Sequence, residues 1–174
     1  MKYLVTGGAG FIGSNIVDTL IDDRHEVVCV DNESAESNSQ FYWNDKAKNY
    51  PIDINDTCSL GWVFKHEKPE IVFHLAAEAR IQPSVKQPQK ACMTNFVGTC
   101  NVLQSSLENG VKRVIYSSTS SAYGRANTPP LNEQMTKDCL TPYSVSKTAG
   151  EELCKVYYKI HGLETMTLRY FNVY

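Results

Sequence analysis

Thr6-Gly7-Gly8-Ala9-Gly10-Phe11-Ile12-Gly13 follows a short β-type run, Lys2–Thr6, and opens a segment of different period. In that segment Phe11, Ile12, Ile16, Val17, Leu20 and Ile21 recur at helical spacing to about Asp23. Gly8, Gly10 and Gly13 fit G-x-G-x-x-G, and Gly7, Gly10 and Gly13 fit the looser G-x-x-G-x-x-G. A dinucleotide site needs glycine here because the turn is tight and the backbone must come close to a pyrophosphate. The last glycine lets the helix pack on the strand. The N–H groups that open the helix, from Gly10 through Phe11, Ile12 and Gly13, then face the phosphates with the helix dipole behind them. Any tight turn can carry such glycines, but a strand before and a helix after is the context that gives them meaning.

Outward from this turn the chain alternates strand and helix. Glu26–Asp31 and Glu70–Leu75 are continuous apolar strands, of the kind found in a sheet covered on both faces. A short strand is expected near Tyr50–Ile52, a helix over Thr57–His66, and a long helix over Gln89–Asn109 with Gly110 ending it. Arg113–Ser117 is a fifth strand, residues 119–138 a loop, Tyr143–Ile160 a helix stopped by Gly162, and Glu164–Tyr170 a sixth strand. Residues 32–49 are polar and carry little secondary-structure signal. This alternation implies an α/β fold, a doubly wound parallel sheet of Rossmann type with helices on both faces. Ligands in such folds sit beyond the carboxyl ends of the strands.

The second strand ends at Asp31, close to the ~20 residues past the last glycine at which an acidic residue accepts ribose hydroxyls. A carboxylate there repels a 2′-phosphate, and no Arg follows for a dozen residues, so the expected cofactor is NAD rather than NADP. Asn32 lies beside it. Asp53, between Ile52 and Ile54, is placed either to bond the adenine amino group or to cap a turn.

Composition narrows the class. With 174 residues, 42% hydrophobic and 21% charged, the chain suits one globular domain. A net charge of −2 gives no reason to expect nucleic acid or a membrane surface as partner. No apolar run approaches a membrane span and no secretory leader is visible, so a cytoplasmic location is expected. Cys29, Cys58, Cys92, Cys100, Cys139 and Cys154 are scattered and are read as free thiols. They do not cluster with His25, His66, His74 or His161, so no metal site is expected.

Tyr143 and Lys147 are four residues apart and share one helix face. An ammonium beneath the phenol is expected to lower its pKa and make it a general base. Ser117-Ser118-Thr119-Ser120-Ser121 follows the fifth strand, where a nicotinamide would lie.

Six motifs in order now carry a resemblance. They are the glycine turn, His74-Leu75-Ala76-Ala77, Asn95-Phe96-Val97-Gly98-Thr99, the Ser117–Gly124 stretch, Pro142-Tyr143-Ser144-Val145-Ser146-Lys147, and Arg169-Tyr170-Phe171-Asn172. The chain resembles the extended short-chain dehydrogenase/reductase family, in its nucleotide-sugar epimerase/dehydratase branch.

The resemblance implies that Thr119 bonds the sugar O4, that Tyr143 is the base, and that Lys147 bonds the nicotinamide ribose. It implies cofactor contacts from Leu75, Ala76, Ala77, Ser117 and Tyr170, and substrate contacts from Ser120, Ser121 and Asn172. His74 is read as structural, while Arg80, Gln82 and Ser84 either approach substrate or form loop surface.

Family members that dehydrate or decarboxylate carry a Glu within two residues of the loop Thr or Ser, whereas Thr119 is followed by Ser120 and Ser121. The implied activity is therefore 4-epimerisation of a UDP-linked sugar, with a dehydratase, a decarboxylase or a non-catalytic NAD-binding fragment as alternatives. The family's substrate domain lies mainly beyond Asn172, so residues 1–174 read as an NAD-binding domain with most of that second domain outside them. A homodimer is implied through the helices at Gln89–Asn109 and Tyr143–Ile160, with Cys92, Val97, Cys100, Leu103, Val156, Tyr157 and Ile160 as candidate contacts.

Overall fold

The computed structural model describes residues 1–35 and 40–174; part of the polar stretch after Asp31 therefore lies outside the described residues. Its sheet has six strands, β1 (Lys2–Thr6), β2 (Glu26–Val30), β3 (Lys48–Tyr50), β4 (Ile71–His74), β5 (Arg113–Thr119) and β6 (Glu164–Tyr170). Their order is β3-β2-β1-β4-β5-β6, and every pairing is parallel. The order reverses between β1 and β4, so the crevice at the carboxyl ends of those two strands is the ligand position of this architecture.

The central strands alternate which apolar side chain they give to each face. Leu4, Val28, Val72 and Val114 pack with Leu60, Val63 and Phe64 of α2 (Thr57–Glu67), Val102 and Leu103 of α5 (Gly98–Glu108), and Cys154 and Tyr157 of α6 (Pro142–His161). On the opposite face Val5, Val27 and Cys29 meet Val17, Ile16 and Leu20 of α1 (Phe11–Asp22). Fully burying one such side chain contributes about 1.5–3 kcal/mol, so these two layers hold the sheet from both sides. The expected doubly wound parallel sheet is the observed one.

The elements differ from expectation in four places. The third strand lies at Lys48–Tyr50, two residues before the expected Tyr50–Ile52, because it is an edge strand whose Lys48 and Asn49 are exposed. The long helix is three consecutive pieces: α4 (Pro88–Cys92), a π-helical turn (Met93–Val97) and α5. A short helix, α3 (Ile81–Lys86), was not expected, and residues 120–123 form a 3₁₀ turn in what reads as loop.

The final helix is fixed at both ends. Thr141 accepts from the backbone N–H of Ser144 in a capping box, Pro142 occupies the first turn, and Gly162 closes the helix with φ +73.

Gly7 has φ +70, and a Cβ there would sit 2.7 Å from the backbone nitrogen of Ala76. A Gly7→Ala chain is expected to lose about 1–3 kcal/mol. Thermal melting should show this as a fall of about 2–4 °C per kcal/mol. An unchanged melting temperature would mean that the turn is looser than described.

Candidate active site

A cleft of about 660 Å³ opens along the carboxyl ends of β1, β2, β4 and β5. The residues assigned from the sequence to cofactor or sugar line it, whereas Gly8, Arg80, Gln82 and Ser84 do not. At one end are Gly7, Gly10, Phe11, Ile12, Gly13, Asp31, Asn32, Asp53 and Ile54. In the middle are Leu75, Ala76, Ala77, Ser117 and Lys147, and at the other end Thr119, Ser120, Ser121, Tyr143, Tyr170 and Asn172.

The first end is built for phosphate and ribose. Gly7 N–H donates to Val30 O at 2.7 Å, folding the turn back over β2. Gly10 stands before α1 in extended conformation with no side chain capping the helix, so the opening N–H groups have no side-chain acceptor there. Asp31 is 9% exposed and accepts from the backbone N–H of Ala9 at 3.1 Å and of Glu33 at 2.8 Å. Burial pushes its carboxyl up, and these N–H bonds offset only part of the shift. Asp53 both lines the cleft and shapes a turn: it accepts from Asn32 Nδ2 at 2.8 Å and from the Asn55 N–H at 2.7 Å. Asp53 thus has the turn-shaping role that one of its two sequence readings gave it, at a place on the cleft wall.

The other end holds the groups suited to proton transfer. β5 runs to Thr119, whose Oγ1 accepts from the Ser121 N–H at 3.1 Å and so fixes the start of the serine turn. Burial pushes the Tyr143 phenol above its ordinary value, while a hydrogen bond with the Thr119 side chain pulls it down. Lys147 is 3% exposed, and burial lowers its ammonium to about 8. The expectation that the Lys147 ammonium lowers the Tyr143 pKa is not met: burial dominates and the phenol stays above its ordinary value. The ammonium lies over the Tyr116 ring, 4.6 Å from its centre. Helical spacing places both residues on the cleft wall.

Several residues support this end: Glu151 with no sequence signal, Asn95 within a motif, and Ser84 and His74 each singled out in the sequence. Ser84 is buried and its Oγ accepts from the Tyr143 backbone N–H at 3.2 Å, while Arg80 and Gln82 are exposed. Asn95, fully buried in the π-helical turn, donates to Ser146 Oγ at 3.0 Å and accepts from the Glu78 N–H at 2.8 Å. His74 sits buried between the Thr6 and Thr99 hydroxyls at 2.7 and 2.9 Å, and burial drives its ring to about 3, hence neutral. Glu151 joins three elements: Ser118 Oγ donates to it, Arg169 makes two bonds of 2.9 Å to its two oxygens, and Lys137 Nζ lies at 2.9 Å. The 31–35 stretch adds Ser34 and Ala35 to the cleft wall, and Phe171, Val173 and Tyr174 also line it. Among the described residues, no group of three His, Cys, Asp or Glu is arranged to hold a metal, and no helix is long and apolar enough to cross a membrane.

The parallel sheet in this strand order, a glycine turn, and a Tyr-x-x-x-Lys helix meeting a hydroxyl-rich strand end define a dinucleotide-dependent α/β enzyme class. More particularly, residues 3–174 match the NAD dependent epimerase/dehydratase family, and the chain belongs to that family.

It is similar to a crystal structure of UDP-glucose 4-epimerase with UDP-glucose from Thermotoga maritima, with TM-score 0.95 and 39% identity, covering 100% of this chain and 56% of that one. A second similar structure is a UDP-glucose 4-epimerase complex with NAD from Thermus thermophilus, with TM-score 0.93 and 33% identity, covering 100% of this chain and 56% of that one. A UDP-N-acetyl-alpha-D-glucosaminuronate decarboxylase of Bacillus cytotoxicus is 36% identical over 180 residues, which is 99% of this chain and 54% of that protein. The chain thus spans about half the length of the relatives it matches.

Burial raises the Glu151 carboxyl, but the bonds from Arg169, Ser118 and Lys137 win and hold it at about 2. A depressed carboxylate contributes stability that is present above its ordinary value of 4.5 and is lost as pH falls towards 2. Glu151→Gln leaves Arg169 uncompensated and is expected to cost about 3–5 kcal/mol at neutral pH. The difference from wild type should shrink in melts taken below pH 4.5. A difference that stays constant with pH would contradict this account.

Proposed function

We propose that the chain is the NAD-binding and proton-transferring part of a nucleotide-sugar 4-epimerase acting on a UDP-linked sugar. The observation that carries this reading is the joining, in one cleft, of the glycine turn and Asp31 with Thr119, Tyr143 and Lys147. The Thr119–Ser121 turn has no carboxylate, so the acid/base group that dehydration or decarboxylation needs is missing from that turn.

The cleft suits the cofactor. The turn at Gly7 has no room for side chains, the opening of α1 offers N–H groups, and a single buried carboxylate stands where ribose hydroxyls belong. NAD bound there supplies the hydride acceptor and donor. Thr119 holds the sugar O4 by its hydroxyl, and Tyr143 takes the O4 proton as C4 is oxidised and returns it after the sugar has turned. Because burial disfavours the phenolate, positive charge in the cleft is what makes Tyr143 a usable base, and Lys147 brings one such charge while bonding the nicotinamide ribose. Leu75, Ala76, Ala77 and Ser117 border the cofactor, with Tyr170 near the nicotinamide. Ser120, Ser121 and Asn172 face the sugar nucleotide.

Residues 1–174 are the dinucleotide-binding domain in this reading. Most contacts to the sugar nucleotide are assigned to the length that the relatives have in addition. A homodimer would use the exposed Val97, Val156 and Ile160, flanked by Met93 and Phe96 on the neighbouring helix, while Leu103 and Tyr157 belong to the core. The buried free thiols Cys29 and Cys154 are in keeping with a reducing, cytoplasmic setting. A second reading is a module that binds NAD without turnover.

The test follows interconversion of UDP-glucose and UDP-galactose, repeated with UDP-glucuronate and UDP-N-acetylglucosamine. Turnover is expected to drop about 10²–10⁴-fold in Tyr143→Phe with NAD affinity retained. Bound NAD with no turnover of any sugar by the wild-type chain would favour the binding module, and release of CO₂ from a UDP-uronate would favour decarboxylation.

A further inference from the structure

Lys147 is an ammonium almost wholly removed from water, and such a group needs a compensating interaction. Glu151, one turn along its own helix, supports the charge through space but takes its hydrogen bonds from Ser118 and Arg169, with Lys137 at 2.9 Å. From β4 it faces His74, which is neutral, and from α6 the Cys154 thiol, which burial pushes to about 12 and so keeps neutral as well. From β5 it faces Tyr116, whose ring centre is 4.6 Å from Nζ. Among the described residues, then, the partner directly against this cation is an aromatic face.

That ring is held tightly. Tyr116 is fully buried, its hydroxyl donates to the Lys147 backbone carbonyl at 3.0 Å, and the His74 ring lies 5.6 Å from it, tilted 39°. Gly150, one turn along the helix from Ser146, makes the fit possible: a Cβ there would run into the Tyr116 hydroxyl and sit 2.6 Å from Cζ. The tyrosine thus touches the lysine twice, at its backbone through the hydroxyl and at its charge through the ring.

We propose that Tyr116 is the positioning residue for Lys147, carrying the ammonium on its ring face so that the N–H donors stay available to a ligand in the cleft. A carboxylate in the same place would stabilise the charge too, but it would also consume those donors. A ring face attracts the cation through its quadrupole without taking a hydrogen bond. The lysine that reaches the cleft is therefore both fixed and unspent. The part of this proposal that concerns cofactor affinity rests on the NAD reading above.

The test replaces Tyr116 in the full chain by phenylalanine and then by phenylalanines carrying one, two and three ring fluorines, which keep the shape while draining the face of negative potential. Lysine 15Nζ resonances are followed against pH, with Lys147 assigned by its loss in Lys147→Arg, and NAD binding is measured by calorimetry. Phenylalanine is expected to leave the Lys147 titration in place. Added fluorines are expected to lower it stepwise and to weaken NAD by about threefold to tenfold across the series. A titration that stays flat along the series overturns the proposal, as does one that has already moved fully in Tyr116→Phe. The lysine titration needs no cofactor. A wild-type chain that fails to bind NAD therefore overturns the functional reading, and the fluorine series still decides this one.

Discussion

Three backbone segments meet at the end of β1 with no space between them for a side chain. A Cβ on Gly7 would reach the Ala76 backbone, one on Gly8 would lie 3.0 Å from Val5 O, and one on Gly13 would lie 2.8 Å from Gly8 Cα. This crowding joins β1 to β4 across the point where strand order reverses and brings the opening of α1 onto the sheet edge. The cleft exists because the turn is this tight. From it follow the direction of the α1 dipole and the proximity of Asp31 to the Ala9 N–H.

Burial, more than any single ion pair, sets the chemistry of the far end. Tyr143 and Lys147 both pay for leaving water, the phenol by resisting ionisation and the ammonium by releasing its proton more readily. Their arrangement leaves both groups responsive to whatever charge enters the cleft. Around them the structure spends its strong interactions on placement. Ser84 fixes the N-terminus of α6, Glu151 binds that helix to β5 and β6, and Asn95 binds it to the segment after β4.

Much of this was legible in the sequence, for physical reasons. Strands covered on both faces are continuously apolar, so β2 and β4 stand out; β6 lies at the sheet edge with none of its residues buried, yet has the expected bounds, Glu164–Tyr170. The glycines and the carboxylates they imply stand out because turn geometry and phosphate chemistry constrain residue type, and the residues assigned to cofactor or sugar line the cleft. β3 was misplaced because an edge strand can be polar, as Lys48 and Asn49 are. Helix α3 was missed because its six residues include Pro83 and gain their order from packing on α6. The roles of Tyr116 and Glu151 had no periodic or motif signal, since each arises from contacts across more than 30 residues of chain. The Tyr143 pKa was misjudged because helical spacing gives a shared face but not the depth to which a phenol is buried.

We propose that cofactor selectivity in this cleft rests on one buried carboxylate, Asp31. Calorimetric titration of the chain with NAD and with NADP decides this. NAD is expected to bind, and NADP to bind about tenfold or more weakly because Asp31 opposes the 2′-phosphate. Equal affinity for the two, or a preference for NADP, would rule that role out.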